Sequence, residues 1–103
     1  MNDDHLYLLH IRDSIGRIEE YTAGGRDAFL ADRRTQDAVL RNLQTLAESA
    51  KRLSENLRLQ RPEVNWRGIA GLRNILVHDY LGVDLARIWE VCATFVPELK
   101  AAI

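Results

Sequence analysis

Cysteine, proline and lysine are scarce in this chain, and no apolar run is long. One cysteine, Cys92, stands among 103 residues. No intrachain disulfide can form, a Cys-built zinc module is excluded, and a reducing, cytoplasmic setting is the expectation. No stretch approaches the roughly 20 apolar residues that cross a bilayer. The opening run MNDDHLYLLHIRD carries acids where a secretory leader carries basic residues, so it does not read as a signal peptide. No period-two alternation of apolar residues suggests a sheet. Excess charge is lacking too: 14 basic residues meet 15 acidic ones, for a formal net charge of −1. The overall positive field of a nucleic-acid binder is therefore absent, and any RNA or DNA contact has to be local.

What is present is arginine and helical periodicity. Of the basic residues only Lys51 and Lys100 are lysines, and the other twelve are arginines, which suit bidentate contacts to carboxylate or phosphate. Leu8, Ile11, Ile15, Ile18 and Thr22 recur at steps of three and four. So do Val39, Leu43, Leu46, Ala50, Leu53 and Leu57, and again Leu85, Ile88, Cys92, Phe95 and Leu99. Each series draws one stripe along a helix. Gly24-Gly25 ends the first helix, and Arg26–Ala31 offers an extra short turn. Asp32 or Thr35 caps a long second helix that runs to the break at Pro62 and Asn65. Asn65 caps a third helix from Trp66, Gly82 stops it, Asp84 caps a fourth, and Pro97 ends or kinks that one. The expectation is an all-α fold, an antiparallel four-helix bundle with one added short helix, occupying residues 1–103 as a single domain.

The third helix concentrates chemistry. The segment Arg73-Asn74-Ile-Leu-Val-His78-Asp-Tyr80 supplies a permanent cation with fork geometry, a side chain type that exchanges protons near neutral pH, and a phenol. Asn74, one turn before His78, is placed to orient the imidazole. These groups suit RNA cleavage: a base removes the 2′-hydroxyl proton, the oxygen attacks phosphorus, and a cation stabilises the charge that develops. The bland alternative is a histidine favoured by a helix C-terminus, with Arg73 paired to Asp79 or Glu90. At about 100° per residue, Arg73 and His78 point about 140° apart on a continuous helix. Either the helix ends near His78, or a second copy completes the site. Gly68 and Gly71 thin one side of this helix, as a close approach between subunits would require.

The pattern R-x-x-x-x-H-x-Y, with a polar residue directly after the arginine, resembles the signature of HepT-like ribonucleases of the HEPN superfamily. NWRGIAGLRNILVHDYLGVD is similar to that family's core helix and exit turn, and AVLRNLQTLAESAKRLS to its preceding long helix. DDHLYLLHIRDSIGRIEEY also fits, so the likeness covers nearly the whole chain. The resemblance implies an HEPN-like homodimer acting as the toxin of a type VII-like toxin–antitoxin pair, a metal-independent endoribonuclease with its site in the dimer cleft. Arg73 and His78 would be catalytic and Asn74 supporting. Tyr80 would accept AMP from a minimal nucleotidyltransferase antitoxin of the MntA type, adding negative charge and bulk beside Arg73. No cofactor is implied.

The remaining candidates read more plainly. His5 and His10 lack metal-ligand spacing and read as surface residues. Cys92 reads as a small core residue, and Trp66 and Trp89 as core or interface anchors. Arg58, Arg61 and Arg67 read by default as a solvated charged loop, with contact to RNA backbone as the other option. Two further functions compete with a nuclease: a non-catalytic helical partner that offers Tyr80 and a nucleotide pocket to a nucleotidyltransferase, and a dimerisation scaffold.

Overall fold

A computed structural model describes residues 3–103 and places them in an antiparallel helical bundle, with no strand among the described residues. The elements are α1 (Asp4–Tyr21), α2 (Arg26–Ala31), α3 (Arg33–Lys51), α4 (Glu55–Leu59) and α5 (Trp66–His78). A 3₁₀ turn (Tyr80–Gly82) leads to α6 (Leu85–Glu90), which runs through a π-turn (Val91–Phe95) into α7 (Val96–Ala102) as one rod. Four rods thus form the bundle, and α2 and α4 are short additions. No helix is long and apolar enough to cross a membrane among the described residues.

Helix α3 is the central rod. It packs most extensively on α1 and next on α5, while α7 closes on α1 and α2 lies between α3 and α6. Its stripe explains this. Val39, Leu43 and Leu46 are fully enclosed and share a core with Ile11, Ile15 and Ile18 of α1. Ile69 and Leu76 of α5 and Ile88, Cys92, Val96 and Leu99 of the last rod complete that core. In α5, Leu72 is half-buried and Ile75 is 51% exposed, so the apolar sector expected there is only partly covered. Between α5 and the last rod lies an apolar groove of about 650 Å³, lined in part by Gly71, Leu72, Ile75, Ile88 and Phe95.

Local chemistry sets the boundaries. Gly25 takes φ +93, a left-handed conformation that glycine tolerates and that turns the chain from α1 into α2. Asp32 caps α3, accepting from the Arg34 amide at 3.1 Å and from the Thr35 hydroxyl at 2.7 Å, so the two candidate caps act together. The Thr35 hydroxyl holds the Asp32 carboxyl below its usual range. Pro97 enters at the start of α7 directly after the π-turn; there the rod continues and does not end.

Two expected boundaries are corrected. The long second helix does not reach Pro62: α3 stops at Lys51, and Glu55–Leu59 forms the separate α4. The cause is Ser54, whose amide and hydroxyl both donate to the Asp4 carboxylate at 2.7 Å while its oxygen accepts from the Leu57 amide at 3.1 Å. Leu53 stays buried and Leu57 half-buried, so the apolar period survives the break that ends the helix. The third helix does not reach Gly82: it ends at His78, where Asp79 turns to φ −141, ψ 45. Gly82 serves instead by lacking a side chain, because a Cβ there would lie 2.4 Å from the Asp79 carboxylate. Gly68 likewise accommodates the Asn65 cap, whose amide nitrogen sits 2.5 Å from where a Cβ would be. Of the two α5 glycines, Gly71 faces open space of the kind a second backbone could enter.

Removing the Ser54 hydroxyl tests the α1–α4 tie. Ser54→Ala is expected to lower stability by about 1–3 kcal/mol, through a lost cap and a lost charge-assisted hydrogen bond, while Ser54→Thr retains most of it. Urea unfolding reads this, and an unchanged midpoint for the alanine variant would contradict the assigned tie. Burial pushes the Cys92 thiol up to about 12. The native protein should therefore react with a thiol reagent orders of magnitude more slowly than the urea-unfolded chain. Equal rates would show that Cys92 is exposed.

Candidate functional site

Helix α5 begins with a cap, the Asn65 carboxamide oxygen accepting from the Gly68 amide at 2.9 Å. It ends at His78 with the Asp79 amide still donating to the Ile75 carbonyl at 2.8 Å. The four motif residues are distributed along its second half and the turn that follows. Arg73 is half-buried and Asn74 and His78 are exposed, while Tyr80 opens the 3₁₀ turn at 37% exposure.

Arg73 faces a pocket of about 240 Å³ that it shares with Asn74, Lys51 at the end of α3, and Arg58 of α4. The rest of the wall is formed by Trp66, Ile69 and the small residues Ala47, Ala50 and Ala70. Three cations and no carboxylate line it. Arg73 donates to the Asn74 carboxamide oxygen at 3.3 Å, and its Nε is buried without a partner. It forms no ion pair among the described residues, so the pairing with Asp79 or Glu90 does not occur. Asn74 thus accepts from the arginine, and no hydrogen bond joins it to His78 among the described residues. His78 has no hydrogen-bond partner among the described residues, which leaves both ring nitrogens uncommitted at the terminus of α5. Neither His78 nor Tyr80 lines the pocket that Arg73 lines.

Tyr80 is held elsewhere on α3. Its hydroxyl donates to Asp37 at 3.2 Å. Asp37 lies in the N-terminal half of α3, about 15 Å of helix before Ala47. Burial raises the phenol above its ordinary range, the Asp37 hydrogen bond and charge raise it further, and Arg33 opposes them. The Tyr80 hydroxyl is thus directed to the far end of α3 from the cationic pocket.

The other candidates fall into place. Asp84 caps α6, accepting from the Ala86 amide at 3.0 Å and the Arg87 amide at 3.4 Å. Trp89 packs on Phe29, with ring centroids 5.7 Å apart. Trp66 donates its indole N–H to the carbonyls of Arg58 and Arg61, both at 3.1 Å, which pins the end of α4 to the start of α5. Arg67 is exposed, but Arg58 and Arg61 are half-buried with unpartnered Nε atoms, so this cluster is not a solvated loop. His5 and His10 are exposed, and His10 lies beside the Tyr7 ring. No three histidine, cysteine, aspartate or glutamate side chains gather as metal ligands among the described residues. Sequence reasoning missed Lys51 and Asp37. Ala50, on a stripe otherwise built of valine and leucine, was the available sign of a pocket wall.

Comparison with known proteins gives a consistent picture. Residues 11–103 match the family described as Ribonuclease HepT-like. The chain is similar to a protein of Thermococcus cleftensis named "Probable ribonuclease HepT", 37% identical over 95 residues, covering 91% of this chain and 86% of that one. It is 39% identical over 102 residues to a Methanocaldococcus jannaschii protein named as a "Gamma-glutamylcyclotransferase and putative RNase"; the match covers 98% of this chain and 46% of that one, so this chain spans about half its length. A "Putative RNase" of Caldanaerobacter subterraneus subsp. tengcongensis is 34% identical over 95 residues, covering 91% and 85%. No solved structure matches the chain.

The Tyr80–Asp37 contact is open to a direct check. Tyr80 is expected to titrate above the ordinary tyrosine range, and Asp37→Asn to bring it part of the way down, because the carboxylate is removed while burial remains. Ring-labelled tyrosine NMR against pH, assigned with Tyr80→Phe, measures this. An unmoved titration in Asp37→Asn would refute the contact.

Proposed function

Because the chain belongs to the HepT-like ribonuclease family, we propose that it is a metal-independent endoribonuclease that cleaves RNA with Arg73 and His78. The carrying observation is the state of these two side chains: a half-buried arginine with no carboxylate partner, and an imidazole left uncommitted where its helix ends. In this reading the His78 imidazole takes the proton of a ribose 2′-hydroxyl, and the freed oxygen attacks the neighbouring phosphorus. Arg73 donates to the phosphorane oxygens, held in place by Asn74. The 5′-oxygen leaves with a proton from the imidazolium of a second copy, which yields a 2′,3′-cyclic phosphate and a 5′-hydroxyl.

A homodimer answers the separation of His78 from the Arg73 pocket within one subunit. Gly71, the 51%-exposed Ile75 and the groove between α5 and the last rod support α5 as the shared face. The same reading makes residues 1–103 one HEPN-like domain and a cytoplasmic toxin of a type VII-like toxin–antitoxin pair. A minimal nucleotidyltransferase antitoxin of the MntA type neutralises it by adenylylating Tyr80. That phenol is accessible, and AMP on it adds negative charge and bulk two residues from His78, where an RNA phosphate must approach. A second reading draws on the fixed Tyr80 hydroxyl: a non-catalytic partner module that presents this phenol to the nucleotidyltransferase.

Purified protein is expected to cleave RNA in the presence of EDTA. His78→Ala and Arg73→Ala should each lower the rate by at least about 100-fold with helicity and oligomeric state retained, since both side chains lie outside the core. Cleavage at the wild-type rate by His78→Ala overturns the nuclease assignment. Wild-type protein that accepts AMP on co-expression, yet cleaves no RNA when purified without the modification, favours the partner module. Sedimentation should show a dimer that Gly71→Leu disrupts, and a monomeric wild-type protein removes the composite site.

A further inference from the structure

The pocket beside Arg73 holds more positive charge than one catalytic arginine supplies. Lys51 closes α3, Arg58 rises from α4, and both share the wall with Arg73. A lysine at a helix C-terminus is favoured by the helix dipole, which accounts for Lys51 alone and not for the convergence. Three like charges in one concavity repel one another, and the chain has 15 acidic residues that would relieve them. None does so: neither Lys51 nor Arg58 forms an ion pair among the described residues. The Nε of Arg58, like that of Arg73, is buried with no acceptor among the described residues. The Arg58 backbone is nevertheless fixed, because the Trp66 indole donates to its carbonyl at 3.1 Å. A cation cluster that is anchored, unpaired and partly desolvated is built for an anion from outside.

We propose that Lys51 and Arg58 form a second phosphate-binding position for single-stranded RNA, holding a backbone phosphate next to the one that Arg73 engages. This deepens the ribonuclease reading and rests on it. The pocket's volume of about 240 Å³ lies below the ~300–1,000 Å³ of small-molecule sites, so it takes a phosphate and its sugar more readily than a whole nucleotide. The alanines of its wall let a backbone approach closely, and the absence of a base-reading amide other than Asn74 makes it a position that tracks backbone without reading sequence. Lys51 and Arg58 are positioning residues here: they hold the strand, and Arg73 and His78 perform the chemistry.

The experiment uses the full chain and a fluorescent single-stranded oligonucleotide made uncleavable by 2′-deoxy substitution. Lys51→Gln, Arg58→Gln and the double variant are compared with wild type across a salt series, with thermal melts as the folding control. The double variant is expected to bind about tenfold more weakly or worse, and its salt dependence to flatten by about 0.7 log units per decade, one lost single-strand phosphate contact. On cleavable RNA its KM should rise while kcat at saturation stays within about twofold, and Arg58→Lys should restore most of the affinity. Unchanged affinity and slope in the double variant overturn the proposal. Should Arg58→Gln fail to fold, the exposed Lys51→Gln alone carries the test, with half the slope change expected. AMP supplied as a competitor separates the sources: if free AMP binding is lost in the variants while oligonucleotide binding is not, the pocket takes a mononucleotide and the RNA proposal is wrong. Wild-type protein that binds the oligonucleotide with this slope but cleaves no RNA would sink the nuclease reading and leave the phosphate position standing.

Discussion

The enclosed seam between α1 and α3 fixes everything else in this molecule. Ile11, Ile15 and Ile18 meet Val39, Leu43 and Leu46 with almost no surface left to water, and burying aliphatic side chains on this scale contributes about 1.5–3 kcal/mol each. With α3 held rigid on one side, its remaining faces become a ruler for α5 and the exit turn. The C-terminal end of α3 contributes Ala47, Ala50 and Lys51 to the Arg73 pocket. Its N-terminal half contributes Asp37, which holds Tyr80. One rod thereby sets the spacing between the cationic pocket and the phenol.

The bundle was largely legible because apolar period and capping residues point the same way. Asp32, Asn65 and Asp84 cap the helices they were expected to cap, and the stripes of α1, α3 and the last rod are the observed core. The two misplaced ends have different causes. Periodicity reports which side chains are buried, and burial continued at Leu53 and Leu57 after the backbone had left α3. What ended the helix was a contact from Asp4, fifty residues away, which no local pattern contains. At the other end, Asp79 breaks α5 before Gly82, whose small size serves the Asp79 carboxylate and not a helical cap.

The site was legible as a set of residues and not as an arrangement. Arg73, Asn74, His78 and Tyr80 follow from the motif and its resemblance to HepT-like ribonucleases. Their partners do not: Asn74 turns to Arg73, Tyr80 to Asp37, and Lys51 and Arg58 join Arg73 from elements distant in sequence. The 140° divergence on an ideal helix matches the finding that His78 stays outside the Arg73 pocket. Side-chain chemistry can be read from spacing along one helix, whereas convergence depends on how neighbouring rods are set against it. The near-neutral formal charge of −1 conceals a local concentration of cations for the same reason.

The hydroxyl of Tyr80 reaches across 43 residues of chain to Asp37 through the single hydrogen it owns. An esterified phenol has no hydrogen to give. Capping that oxygen with any acidic group would set two anions face to face where a bond had been, and the tie of the exit turn to α3 through Asp37 would be lost. A chemical mark on one atom would then also act as a mechanical unfastening.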